Sequence, residues 1–117
     1  MNNNDATRTV IDHFNAAFNA HDIEVVMALM TDDCVFENTY PQPDGARFEG
    51  QAAVRANFAA FFAESPQAQF EFEDIFTSGD RACVRWLYRW GSGHVRGVDV
   101  FRVRDNRIVE KLSYVKG

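Results

Sequence analysis

The feature that most constrains this chain is a change of hydrophobic period partway along it. Up to Glu64 the apolar residues recur every three or four positions, whereas from Pro66 onward they recur every second position. Helices must therefore come first and a run of strands afterwards, which is the pattern of an α+β domain. Val10, Phe14, Ala17 and Phe18 form one helical face within a helix expected over about Asp5–Ala20, with His13 off that face. Asp22 is a plausible N-cap for a short second helix carrying Ile23, Val26, Met27 and Met30, which Thr31-Asp32-Asp33 ends. A strand over Cys34–Asn38 and a turn-rich loop, Tyr40-Pro41-Gln42-Pro43-Asp44-Gly45, come next. Phe48-Glu49-Gly50 then leads into a third helix over about Gln51–Glu64, with Val54, Phe58, Phe61 and Phe62 facing its core.

In the second half, Phe70, Phe72, Asp74 and Phe76 alternate with Glu71, Glu73, Ile75 and Thr77. Ala82, Val84, Trp86, Tyr88 and Trp90 share one strand face, opposite Arg85, Leu87 and Arg89. Turns at Ser78-Gly79-Asp80, Gly91-Ser92-Gly93 and Arg104-Asp105-Asn106 separate these strands from one through Asp99 and a last strand over Ile108–Val115. The expected architecture is a curved antiparallel sheet folded over the helices around a concave aromatic pocket, in one domain over residues 1–117. Met1–Asp5 has no basic or apolar stretch, so it reads as a disordered lead-in rather than a signal peptide, and cytoplasmic residence is the expectation.

Composition narrows the function classes. A net charge of −5 argues against a nucleic-acid partner, and no apolar run is long enough to span a membrane. Arg81, Arg85, Arg89 and Arg96, interleaved with Trp86, Tyr88 and Trp90, read as the solvated face of a strand rather than a base-stacking surface. The two cysteines, Cys34 and Cys83, and three scattered histidines have no metal-ligand spacing. No phosphate loop or nucleophile elbow occurs, so no metal or cofactor is expected.

Asp99 stands apart. It interrupts Gly97-Val98-Asp99-Val100-Phe101-Arg102-Val103, where alternation puts it on the apolar side with Phe101 and Val103. Either an Arg or a backbone donor pairs with it, or it is a carboxyl set for chemistry in an apolar pocket, kept neutral by desolvation. On the outer face, Leu87, Val100, Leu112 and Tyr114 point away from the pocket and ask for cover, so a homodimer is expected.

The chain resembles the SnoaL-like and ketosteroid-isomerase-like branch of the nuclear transport factor 2-like superfamily over nearly its whole length. The resemblance is carried by Phe14-Asn15-Ala16-Ala17-Phe18-Asn19-Ala20-His21-Asp22 and Ala28-Leu29-Met30-Thr31-Asp32-Asp33. Phe48-Glu49-Gly50-Gln51-Ala52-Ala53-Val54-Arg55, Asp99-Val100-Phe101-Arg102-Val103 and the closing strand complete it. It implies a cone-shaped fold, a deep pocket for an apolar small molecule, and a dimer, but no single reaction. The ketosteroid isomerases use a protonated Asp, a Tyr and a carboxylate base; these fall on Asp99, Phe14 and Asn38, so two of the three groups are missing. In the limonene-epoxide-hydrolase-like branch the Asn falls on Asn38, the Tyr on Phe36 and the last Asp on Ser113, with no Arg-x-Asp pair near Arg81-Ala82-Cys83. The SnoaL-type cyclases ask less of protein groups, because folding of the substrate supplies proximity.

The resemblance therefore leaves Asp99 and Asn38 as candidate catalytic residues. Phe14, Phe18, Phe36, Tyr40, Trp86, Tyr88, Phe101, Lys111 and Ser113 are candidate ligand contacts. Tyr40 is alternatively a loop side chain packed on Pro41 or Pro43, and Trp86 and Tyr88 plain core. In the family register Lys111 shares Asp99's side, where a salt bridge or a solvated rim fits it better than catalysis. The implied function is a small-molecule pocket protein, an isomerase or cyclase acting by proton transfer on an apolar carbonyl ligand. The alternatives are a non-catalytic binding or dimerisation module and, more weakly, an epoxide hydrolase.

Overall fold

The computed structural model describes residues 3–116. Helices α1 (Asn3–Asn19), α2 (Ile23–Ala28) and α3 (Gln51–Glu64) pack on six strands: β1 (Met30–Glu37), β2 (Arg47–Glu49), β3 (Phe70–Ser78), β4 (Arg81–Trp90), β5 (Gly93–Arg104) and β6 (Arg107–Val115). The sheet is open, with strand order β2-β1-β6-β5-β4-β3. It is mixed rather than purely antiparallel, because β1 runs parallel to β6. A chain that must place three helices between and before its strands brings the first long strand back beside the last one, and local patterning carries no sign of that pairing.

Three boundaries differ from the sequence expectation. Asn3, Asn4 and Asp5 form the start of α1 instead of a lead-in, whereas Met1 and Asn2 lie outside the described residues. The second helix stops at Ala28, and Met30–Asp33 opens β1, with Met30 paired to Ile108. Arg47–Glu49 is a short edge strand, where only a lead into α3 was expected. Asp22 does cap α2, its Oδ1 accepting from the Val25 N–H at 3.3 Å.

The core lies between α1, α3 and the inner sheet face. Ile11, Phe14, Phe58, Val84 and Phe101 are all essentially inaccessible to solvent. Phe14 meets the Phe101 ring edge-on, centroids 5.8 Å apart. A bulge in β3 between Phe72 and Asp74 shifts its register against β4. Each residue after it turns to the other face, so Ile75 packs on the core and Phe76 is exposed, the reverse of simple alternation. At the start of β3 the Asn19 amide both donates to the Phe70 carbonyl and accepts from the Phe70 N–H, at 2.9 Å each. On the outer face the Arg96–Glu73 ion pair spans from β5 to β3 across β4. Leu87, on that face of β4, is only 2% exposed. The outer apolar surface is therefore narrower than expected: Val98 beside Tyr114 and Val100 beside Leu112.

Candidate active site

The strand register sets the polar part of the inner face. Phe36, Lys111, Phe101 and Ala82 form one cross-strand row, and the next row holds Ser113, Asp99 and Val84. Directly opposite Asp99, Ser113 donates its hydroxyl to Asp99 Oδ1 at 2.6 Å. The Trp86 indole N–H donates to the same oxygen at 3.1 Å. Lys111 Nζ lies 3.4 Å from Asp99 Oδ2 and donates to Ser113 Oγ at 3.4 Å. Both the Asp99 and the Lys111 side chains are 9% exposed.

Gly97 makes the Trp86 contact possible. A Cβ at Gly97 would come within 2.3 Å of both the indole Cζ2 and the Tyr114 carbonyl oxygen. The missing side chain opens the space in which Trp86 lies diagonally toward Asp99.

The geometry alters the chemical reading of Asp99. Its neighbours are a cation, a hydroxyl and an indole, all donors, and this set complements a carboxylate acceptor rather than a neutral acid offering its own proton. Of the two readings of Asp99, the paired one finds its partner in Lys111. The Lys111 ammonium is also ringed by aromatic faces, 4.7 Å from the Phe36 centroid, 5.4 Å from Phe18 and 5.8 Å from Phe58.

These groups open into a cavity of about 410 Å³, within the size range of small-molecule sites. Of the residues expected there, Phe14, Phe18, Phe36, Asn38, Tyr40, Trp86, Tyr88, Asp99, Lys111 and Ser113 all line it. Phe101 does not: it is fully buried behind Phe14 and belongs to the core. Tyr40 stands at the rim, 78% exposed.

Asn38 lines the cavity, but its side-chain oxygen is occupied by the loop. It accepts from the Ala46 N–H at 2.8 Å and the Tyr40 N–H at 3.3 Å. Gly45 allows that wrapping, with φ +73° and a Cβ position that would sit 1.9 Å from the Asn38 carbonyl oxygen. Asn38 thus organises the loop over Tyr40–Ala46 and has little acceptor capacity left for a ligand or water.

Sequence reasoning missed Asn15 on α1, Asn57 and Glu64 on α3, and Phe70 and Phe72 on β3, all of which line the cavity. For Asn15 the signal was present: it stands four residues after Ile11 and three before Phe18, on the inward stripe, where a polar residue is unexpected. Among the described residues no group of three or more His, Cys, Asp or Glu could hold a metal ion.

The SnoaL-like domain family matches residues 11–111. The chain therefore belongs to the SnoaL-like family. It is similar to the crystal structure of an NTF2-like protein of unknown function from Mesorhizobium loti, with 41% identity over 100% of this chain and 96% of that one and a TM-score of 0.88. It shares its fold with a Kribbella flavida protein provisionally named a ketosteroid isomerase, at 19% identity, 100% and 82% coverage and a TM-score of 0.85. It also shares it with a Sinorhizobium meliloti protein provisionally named a polyketide cyclase, at 22% identity, 91% and 94% coverage and a TM-score of 0.75. No curated protein matches the chain.

Proposed function

We propose that this chain is a single SnoaL-like domain that takes an apolar carbonyl compound into its cavity and moves a proton on it. The observation that carries the reading is the Asp99–Lys111 pair, buried on the sheet yet open to an aromatic chamber. The two contacts of Lys111 Nζ are both long, so its ammonium keeps donor capacity for a ligand oxygen. A carbonyl held there has its developing enolate charge stabilised by the cation. Asp99 Oδ2 then takes the proton from the adjacent carbon, breaking C–H and forming O–H, and returns it at another position. Asn38 contributes its amide nitrogen at the rim.

A second reading, a binding module without turnover, is favoured by the three donors already directed at Asp99. Epoxide opening by held water is less favoured, because the Asn38 oxygen is bonded to the loop. Efficient Δ5-3-ketosteroid isomerisation is not expected, because Phe14 and Asn38 lack the phenol and the carboxylate. A homodimer on the Val98, Val100, Leu112 and Tyr114 face belongs to the proposal. So does a cytoplasmic location, which suits two free cysteines. Among the described residues no helix is long and apolar enough to cross a membrane.

The test is binding and deuterium exchange with a fused bicyclic mono-enone in heavy water. Saturable binding with exchange beside the carbonyl, reduced roughly a hundredfold in Asp99→Asn, is the expected result. Binding without exchange selects the second reading, and no saturable binding at millimolar probe ends both.

A further inference from the structure

Asp99, Lys111 and Ser113 are clustered on β5 and β6. On the opposite wall, α1 contributes one more polar side chain, and its situation is unlike that of the other amides. Asn15 is 6% exposed, lines the cavity, and its Nδ2 has no hydrogen-bond partner. Other amides in contact with the core are used structurally. Asn19, one turn further along α1, is bonded to both polar groups of Phe70, and Gln51 Nε2 reaches the carbonyls of Met27, Met30 and Thr31 at 3.1 Å each. Asn38 is tied to its loop.

A buried amide without a partner costs stability, and an apolar residue at that place would not incur the cost. Leu or Ala would also suit the helix better. Its nitrogen has no partner within the chain, and the residue borders a cavity from which an acceptor could approach it. Asn15 lies one helical turn before Phe18, whose ring is 5.4 Å from Lys111 Nζ. Asn15, Phe18 and Lys111 all line the same cavity.

From this we infer that Asn15 is a second ligand anchor, donating to an acceptor oxygen on the far side of the ligand from Lys111. The inference rests on the carbonyl-binding reading above and narrows its ligand class to apolar, ring-sized molecules carrying two acceptor oxygens at opposite ends. One oxygen is held by Lys111 and the other by Asn15. A molecule with a single oxygen leaves one of the two donors unsatisfied.

The test pairs two probes and two variants. The probes are a fused bicyclic enedione, with its carbonyls on opposite rings, and the matching mono-enone, titrated calorimetrically. Wild type is expected to bind the enedione about tenfold more tightly than the mono-enone. Asn15→Leu, and Asn15→Ala as the variant without added bulk, should remove that preference, weakening the enedione about tenfold more than the mono-enone. The same substitutions should raise the melting temperature of the ligand-free protein by about 3 °C, because an unpaired buried donor is deleted. A lower melting temperature in both variants would show that Asn15 is satisfied structurally, for instance by a buried water, and would overturn the inference. So would an enedione preference that survives in both variants, or a wild type that binds the mono-enone but shows no preference; in these cases the carbonyl-binding reading stands. If neither probe binds wild type, that reading fails and takes the two-oxygen ligand class with it.

Discussion

Replacing Lys111 by Met tests whether the cavity has a charged end. At the observed 3.4 Å separation and an effective dielectric constant of about 20, opposite unit charges attract by about 5 kcal/mol. The approach of the ammonium to the Phe36 ring, at 4.7 Å, adds about 0.5–2 kcal/mol. Against this, holding an ammonium out of water costs several kcal/mol, which the variant recovers, and Met refills the space between Phe18, Phe36 and Phe58. What the variant does not recover is Asp99, left buried with only the Trp86 and Ser113 donors. The net expected loss is about 3 kcal/mol, at the lower end for one-sided removal of a buried pair. Asp99→Asn, which strands the lysine instead, should cost a similar amount. Combining them should cost about 1 kcal/mol, because the asparagine oxygen still accepts from Trp86 and Ser113 and no lone charge remains. Urea unfolding of the four proteins at neutral pH measures this directly. A coupling energy of at least about 2 kcal/mol is expected. Coupling within about 0.5 kcal/mol of zero would place the pair in the range of solvated surface bridges and refute the buried polar end.

Three further outcomes follow from other parts of the structure. Bonding to Arg104 holds the Asp33 carboxyl down from its ordinary 3.8 to about 2. Its contribution is therefore complete above about pH 4 and is lost as pH falls toward about 2, so Arg104→Gln should flatten the acid-unfolding profile in that window, its small loss of stability being full at neutral pH and gone near pH 2. Gly97→Ala drives a methyl group into the Trp86 indole and the Tyr114 carbonyl, and should destabilise by about 1–3 kcal/mol with a shift in tryptophan emission; unchanged emission and stability would show that the indole does not depend on that space. Sedimentation should show a dimer that Leu112→Glu converts to monomer, and a wild-type monomer at high micromolar concentration would remove the dimer from the proposal.

Much of this fold could be read from the sequence because it is written in local periodicity. The stripe Val10, Phe14, Ala17, Phe18 did form the inward face of α1, and the β4 alternation from Ala82 to Tyr88 held. What escaped was non-local. The pairing of Met30 with Ile108 and the parallel β1–β6 contact depend on residues some eighty positions apart. The β3 bulge, which exchanges Ile75 for Phe76, costs one residue of register and leaves no compositional mark. In the site, Asp99 stood out because it broke an apolar alternation. Asn15 broke one just as clearly on a helix, where a stray amide looks like the edge of a stripe. The role of Asn38 was hidden because its oxygen is taken by Ala46 and Tyr40, a loop geometry that only the backbone at Gly45 reveals.

The pairing of Asn19 with Phe70 has a consequence for how this sheet meets other chains. β3 is a nine-residue edge strand, long enough to template the addition of a foreign strand. At its first residue a side-chain amide takes the place of a neighbouring backbone, filling both a donor and an acceptor position of the ladder. Past it, the bulge breaks the straight run of free groups, and Glu71, Glu73 and Asp74 stand exposed along the strand. An incoming strand would meet a blocked first rung, a bend and three carboxylates. The β3 edge is thereby a poor template for open-ended growth of the sheet.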